Sequence, residues 1–193
     1  MTWEGDLEEA LGRWPKPVVH ALEYPRDSAH ACRVGPDDGS GGRLAARYLL
    51  ERGHKRIGFV RWPDHSRIYR KRYEGYRAEL EAWGHESEAV AFELLRDADR
   101  LKASGCTGFV CGNEVIAAQV KHLFAGAEVV AIGYLDRENK PAWKDFAVVG
   151  HPLALCMEKA VDLLIERVEH GGDEAKEVTT AYRVCPPEGS EPS

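Results

Sequence analysis

The sequence contains no apolar run near the roughly 20 residues that a helix needs to cross a bilayer. Its opening, MTWEGDLEEALGRWPKP, is acidic and broken by charges rather than built as a secretory leader. Both absences point to the cytoplasm and away from the membrane. Metal-ligand patterns are missing as well. The five cysteines (Cys32, Cys106, Cys111, Cys156 and Cys185) are odd in number and scattered, and the one close pair, Cys106 and Cys111, has neither CxxC nor zinc spacing. Four of the five sit in apolar contexts such as GFVCG and LALCM and read as small buried hydrophobes in a reducing compartment. The eight histidines form no HxxxH pair, and no serine stands in a GxSxG elbow. With no nucleophile arrangement, metal set or phosphate loop to carry a reaction, the sequence implies a non-catalytic protein without a cofactor. An excess of basic charge is lacking too. Lys and Arg number 26 against 32 Asp and Glu, for a net charge of −6, which argues against direct DNA binding by these residues.

What is present is a globular composition, 44% hydrophobic and 30% charged over 193 residues. That length holds one good-sized core or two small lobes that share elements. Short β-branched runs alternate with helical stretches, the pattern of an α/β fold with a mostly parallel sheet. Strands are predicted over Pro17–Leu22, Arg56–Arg61, Val90–Leu94, Gly108–Cys111, Val129–Gly133 and Ala147–Gly150, with a last extended segment over Val178–Cys185. Helices are predicted over Gly39–Glu51, with Asp37 or Asp38 as cap, over Ser66–Trp83, Asp97–Ala103, Val115–Phe124 and Leu153–Glu169. In the second of these, Tyr69, Tyr73, Tyr76, Leu80 and Trp83 recur at helical spacing and predict one inward aromatic face. In the last, Leu153, Cys156, Met157, Ala160, Val161, Leu164, Ile165 and Val168 predict another.

Three places invite a binding reading. The cluster GSGGR at Gly39 to Arg43 matches neither GxGxxG nor GxxxxGK[ST], so its glycines are expected to let the helix start lie close against a neighbouring strand. The basic run RIYRKRYEGYR, with Glu74, Glu79 and Glu81 nearby, reads as a solvated helix face, except for Arg72. That residue is expected where the ordered helix begins beyond a strand end, and a guanidinium fork suits vicinal hydroxyls or carboxylates. Asn113 and Glu114 follow strand GFVC, while Tyr134 to Asp136 follow strand VVAIG, at equivalent positions of successive β-α units. Asparagine offers both a donor and an acceptor to a hydroxyl-rich ligand, and equally suits the cap of the next helix. In open α/β sheets ligands lie beyond the carboxyl ends of strands, where these segments converge.

VGPDDGSGGRLAARYLLERGHKRIGFV followed by RKRYEGYRAELEAWG closely resembles the effector-binding region of LacI/GalR-type transcriptional regulators. CGNEVIAA, VVAIGYLD, DFAVVGHPLALCMEKAVDLLIERVEHG and TTAYRVCPPEGS resemble later segments of that family, so the likeness runs along nearly the whole chain. The resemblance implies a periplasmic-binding-protein-like type I α/β fold, with one near-complete Rossmann-like lobe and a remnant of the other. It implies residues 1–36 as the last β-α unit of the first lobe, 37–146 as the second lobe, 147–172 as the segment returning to the first lobe, and 173–193 as the second lobe's C-terminal strand and a mobile tail.

By motif, Arg72 in R-x-x-G-Y stands at the arginine that holds the effector, Asn113 at the asparagine of the Asn-Asp turn, and Asp136 at the remaining acid of the Gly-[Phe/Tyr]-Asp-Asp strand end. Glu114 stands where the family has Asp, Leu135 where it has the first Asp of the pair, and the stretch between Trp83 and Cys106 is shorter than usual. The expected function is binding of a small polar effector, a sugar by class, with hinge closure of the two lobes relayed through a homodimer. DNA would be contacted only by a helix-turn-helix headpiece that this sequence lacks. Alternative expectations are a sugar-binding transport component, a small enzyme on the same scaffold, and a degenerate fragment acting only with an intact homologue.

Overall fold

In the computed structural model, the described residues are 14, 16–22, 32–63, 66–85, 89–135, 144–172 and 174–187. They form two compact units. The first comprises residues 1–36 and 153–180, the second residues 37–152 and 181–193.

The second unit is a six-stranded sheet in the order β4-β3-β5-β6-β7-β9. Its strands are β3 (Ile57–Arg61), β4 (Val90–Glu93), β5 (Gly108–Cys111), β6 (Glu128–Tyr134), β7 (Ala147–His151) and β9 (Arg183–Cys185). All neighbours are parallel except β7 and β9. Strands β3, β5, β6 and β7 are apolar on both faces because helices cover both sides, and alternate side chains divide between two cores. Phe59, Val110 and Ile132 pack with Leu49, Tyr76 and Leu80 of α1 (Asp38–Glu51) and α2 (Arg67–Ala82). Val60, Phe109, Cys111 and Ala131 pack on the other side with Leu101 of α3 (Ala98–Lys102) and Ile116, Ala117 and Val120 of α4 (Glu114–Leu123).

The chain leaves β3 for β4 on one side and then returns to β5 on the other. The strand order therefore reverses between β3 and β5, whose carboxyl ends are the usual ligand position in such sheets. Each helix around it starts at a side-chain cap. The Asp37 carboxylate accepts from the Ser40 amide at 3.2 Å, the Ser66 hydroxyl from the Tyr69 amide at 3.3 Å, and the Asn113 side-chain oxygen from the Ile116 amide at 2.9 Å. Asp37 is thus the α1 cap, which leaves Asp38 as the first helical residue.

The first unit is a three-stranded parallel sheet, ordered β1 (Val19–Ala21), β2 (Cys32–Pro36), β8 (Glu177–Thr180), with α5 (Leu153–His170) against it. Cys32, Val34, Cys156, Ala160 and Leu163 form its core.

Several sequence expectations need correction. The inward stripe of α5 is Cys156, Ala160 and Leu163, whereas Met157, Val161, Leu164, Ile165 and Val168 are exposed. This helix has apolar residues over more than one face, so periodicity does not identify the packed one. The last extended segment is two strands, not one. Residues 177–180 pair with β2 of the first unit, and only from residue 181 does the chain join the second, whereas β7 lies in the second unit's sheet. Trp83 is 44% exposed, because it is the C-terminal cap of α2 and lies beyond the packed stripe. Glu79 is buried rather than solvated, since the Arg47 guanidinium reaches it at 2.8 and 3.1 Å and the Trp83 indole at 3.2 Å. Of the GSGGR glycines, Gly42 faces α2 and Gly41 faces the Tyr182 ring, rather than a neighbouring strand.

Candidate functional site

Helices α1 and α2 cross at near backbone contact. A Cβ on Gly42 would lie 2.8 Å from the Arg72 carbonyl carbon and 2.9 Å from the Tyr76 nitrogen, and one on Gly75 would meet the Gly39 carbonyl group. Only glycine at both positions permits this approach. The crossing brings the first turn of α1 to Arg72, which sits in the second turn of α2 rather than where the helix begins.

Arg72 is 9% exposed. Its Nε donates to Asp38 Oδ1 at 2.8 Å, and its Nη1 donates to the carbonyls of Gly112 at 2.5 Å and Ile132 at 3.3 Å. Its Nη2 donates to the Tyr182 hydroxyl at 3.1 Å, and that hydroxyl donates to Asp38 Oδ1 at 3.0 Å. Four of the five guanidinium N–H groups thus hold partners within the second unit. The guanidinium ties together the ends of β5 and β6, the start of α1 and the segment before β9. Burial works against its charge, but the Tyr182 oxygen and the Asp38 carboxylate outweigh burial and hold its pKa above the ordinary arginine value. The Tyr182 phenol is pushed well above its usual range by burial and by Asp38, against the opposing pull of Arg72, so it is protonated and able to donate.

The Asn113 side chain is shared between two tasks. Its oxygen caps α4, and its Nδ2 donates to the Tyr69 hydroxyl at 2.7 Å. Glu114 turns the other way: its Oε1 accepts from the Tyr134 amide at 2.9 Å, which clasps the β5–α4 turn to the end of β6 beside Gly133. The longer glutamate side chain makes this reach. Leu135 donates its amide to the His151 carbonyl at 3.1 Å and packs beside Gly150. Asp136 lies outside the described residues. Arg72 and Asn113 therefore share the carboxyl end of β5, through Gly112 and the Asn113 cap respectively.

Two members of the network are not evident from sequence patterns. Asp38 reads only as a possible cap, although two successive acids before one helix leave one of them spare. Tyr182 is a single aromatic in a short segment, and nothing local names its partners 110 and 144 residues away.

Residues 46–132 match the periplasmic binding protein-like domain model. An HTH-type transcriptional regulator from the aml 5′ region of Streptomyces limosus is 30% identical over 156 residues, covering 71% of this chain and 44% of that protein. The ribose operon repressor of Escherichia coli K12 is 28% identical, over 83% of this chain and 54% of the repressor. The chain belongs to the LacI/GalR-type, periplasmic-binding-protein-like family. It spans about half the length of these two regulators. The fold agrees with a ribose-bound LacI family regulator from Enterococcus faecium at a TM-score of 0.79 and 18% identity, covering 94% of this chain and 72% of that one. Among the described residues, no helix is long and apolar enough to cross a membrane.

Proposed function

We propose that this region is the effector-binding module of a LacI/GalR-type regulator, acting in the cytoplasm without catalysis and taking a small hydroxyl-rich ligand, a sugar by class, at the carboxyl ends of β3, β5 and β6. The observation that carries the reading is the buried Asp38–Arg72 pair at the carboxyl ends of β5 and β6, beside the point where the strand order reverses. A carboxylate beside a guanidinium accepts from and donates to neighbouring hydroxyls, which is the chemistry of sugar recognition. Asn113, on the turn after β5, and Asp136, which follows β6 in the sequence, belong to the same proposed site. Binding would be passed on through a homodimer, and DNA would be contacted by a helix-turn-helix outside these residues.

The test is thermal melting of the chain against D-ribose, other pentoses and hexoses, and cellobiose. A ligand that binds only the folded state adds about 2.7 kcal/mol of stability at a hundred times its dissociation constant. At least one sugar should raise the melting temperature, and Asp38→Asn, Asn113→Ala and Asp136→Ala should each reduce the rise. A sugar response that all three substitutions leave intact would place the site elsewhere. No response to any sugar would remove the effector class.

A further inference from the structure

The Asp38–Arg72 pair is already bridged by a hydroxyl, and that hydroxyl belongs to the chain. Tyr182 accepts from Arg72 Nη2 at 3.1 Å and donates to Asp38 Oδ1 at 3.0 Å. A sugar hydroxyl lodged between a carboxylate and a guanidinium makes the same two bonds, one in each direction. Both bonds are charge-assisted, which places them among the stronger hydrogen bonds a hydroxyl can form.

The ring is fixed so as to hold its oxygen there. It lies against Gly41, where an added Cβ would come within 2.9 Å of the ring, and it meets His151 edge-on with centroids 5.4 Å apart. Gly41 is thus the small residue that admits the ring, which gives the second glycine of GSGG a purpose separate from the helix crossing. The other acceptors of the guanidinium near the strand ends are the backbone carbonyls of Gly112 and Ile132, which cannot leave without disturbing β5 and β6. Tyr182 is the neutral side-chain partner of Arg72, and it comes from the short link between β8 and β9. Among the described residues, one N–H of Nη2 is left over.

We propose that the Tyr182 hydroxyl is an internal surrogate for an effector hydroxyl, holding the Asp38–Arg72 pair in a ligand-satisfied arrangement from within the chain. The inference rests on the effector reading of this site and adds a specificity rule to it. A sugar that addresses Asp38 and Arg72 together competes with Tyr182, so the chain's own effector either displaces the phenol or binds without that hydroxyl contact.

The experiment is calorimetric titration of D-ribose into the full chain, the Tyr182→Phe variant and the Tyr182→Leu variant, with circular dichroism melts to show that each is folded. Loss of the surrogate should tighten ribose binding by about tenfold or more in at least one variant, since a hydrogen bond to a charged group becomes available. Adding Asp38→Asn should abolish the gain. Ribose binding by a variant but not by the wild-type chain would also support the proposal, as release of a self-occupied site. Binding that is equal or weaker in both variants would overturn it while leaving the effector reading in place, because a purely structural hydroxyl gives that result. No ribose binding by any of the three forms would overturn it too. In that case the sugar panel decides separately whether the effector reading survives.

Discussion

Gly42→Ala isolates the contact on which the whole site is built. The added methyl would sit 2.8 Å from the Arg72 carbonyl carbon and 2.9 Å from the Tyr76 amide nitrogen, with the carbonyl oxygen nearer still. Ordinary contact begins near 3.4 Å, so α1 and α2 must part by at least about half an ångström, and further to clear the oxygen. The obstructing atoms are backbone in two capped helices, which cannot swing aside as a side chain would. Overpacking of this kind costs about 1–3 kcal/mol and occasionally more. We place Gly42→Ala at the upper end, about 3 kcal/mol, because the Arg72 network of bonds stretches as the helices separate. Gly39→Ala is the internal control. There the nearest atom is Asp37 Oδ1 at 3.4 Å, and replacing a helical glycine with alanine in open space stabilises by roughly 0.5–1 kcal/mol. Urea unfolding followed by far-ultraviolet circular dichroism compares the midpoints at unchanged slope. Two glycines three residues apart in one helix should then shift stability in opposite directions. Equal midpoints for the two variants would refute the close crossing, and with it the account of how Arg72 is placed.

Arg72→Met should destabilise by about 3–5 kcal/mol, because it leaves the Asp38 carboxylate buried without its cation; adding Asp38→Leu should recover part of that loss in the same unfolding assay. At the other clamp between α1 and α2, Arg47→Ala should cost more than Glu79→Gln. Arg47 is half exposed and water can solvate it, whereas Glu79 is 3% exposed and would keep only the Trp83 indole as a described partner. Asp97 is held below the ordinary aspartate value of 3.8, first by the Glu93 amide and then by Arg100. Its contribution is therefore present above pH 3.8 and is lost as pH falls through the lower folded value, so Asp97→Asn should flatten the acid limb of melting temperature against pH.

The order of elements was legible because strands covered on both faces read as continuous apolar runs and three of the helices, α1, α2 and α4, start at side-chain caps. RIGFVR, GFVC and AVVG announce themselves in this way, and Ser66 and Asn113 cap the helices that the pattern predicts. The α5 stripe was less legible because apolar residues occupy several faces of that helix. Which face is covered depends on the partner sheet, and that information lies in Cys32 and Val34, more than a hundred residues away. The segment after Glu177 misled for a related reason: two short strands and the two-residue link between them look like one extended run, although they pair in different sheets. Arg72 stood out as the exception in its basic run, and it is the buried one. Its partners could not be read in the same way. Asp38, Gly112, Ile132 and Tyr182 are set by the topology that brings four chain segments to one point, and no local pattern encodes that meeting.

The Arg72 geometry also bears on how a bound effector would be felt. A guanidinium that served only as a ligand hook would keep most of its donors free, whereas this one spends four on its own chain. Each of the four reaches a different element: the first turn of α1, the end of β5, the end of β6 and the link before β9. A ligand that pulled on the Asp38–Arg72 pair would therefore act on all four at once, without any further relay within the second unit. Both bonds to the Asp38 carboxylate fall on Oδ1, so a hydroxyl arriving between the acid and the guanidinium contends with Tyr182 for the same atom. If the coupling runs through that contest, Tyr182→Phe should alter how strongly a ligand stabilises the β5–β6 edge, and hydrogen exchange at Gly112 and Tyr134 should report it. If ligand-induced protection there is the same with and without the phenol, Tyr182 only fills space and the coupling runs through the backbone carbonyls.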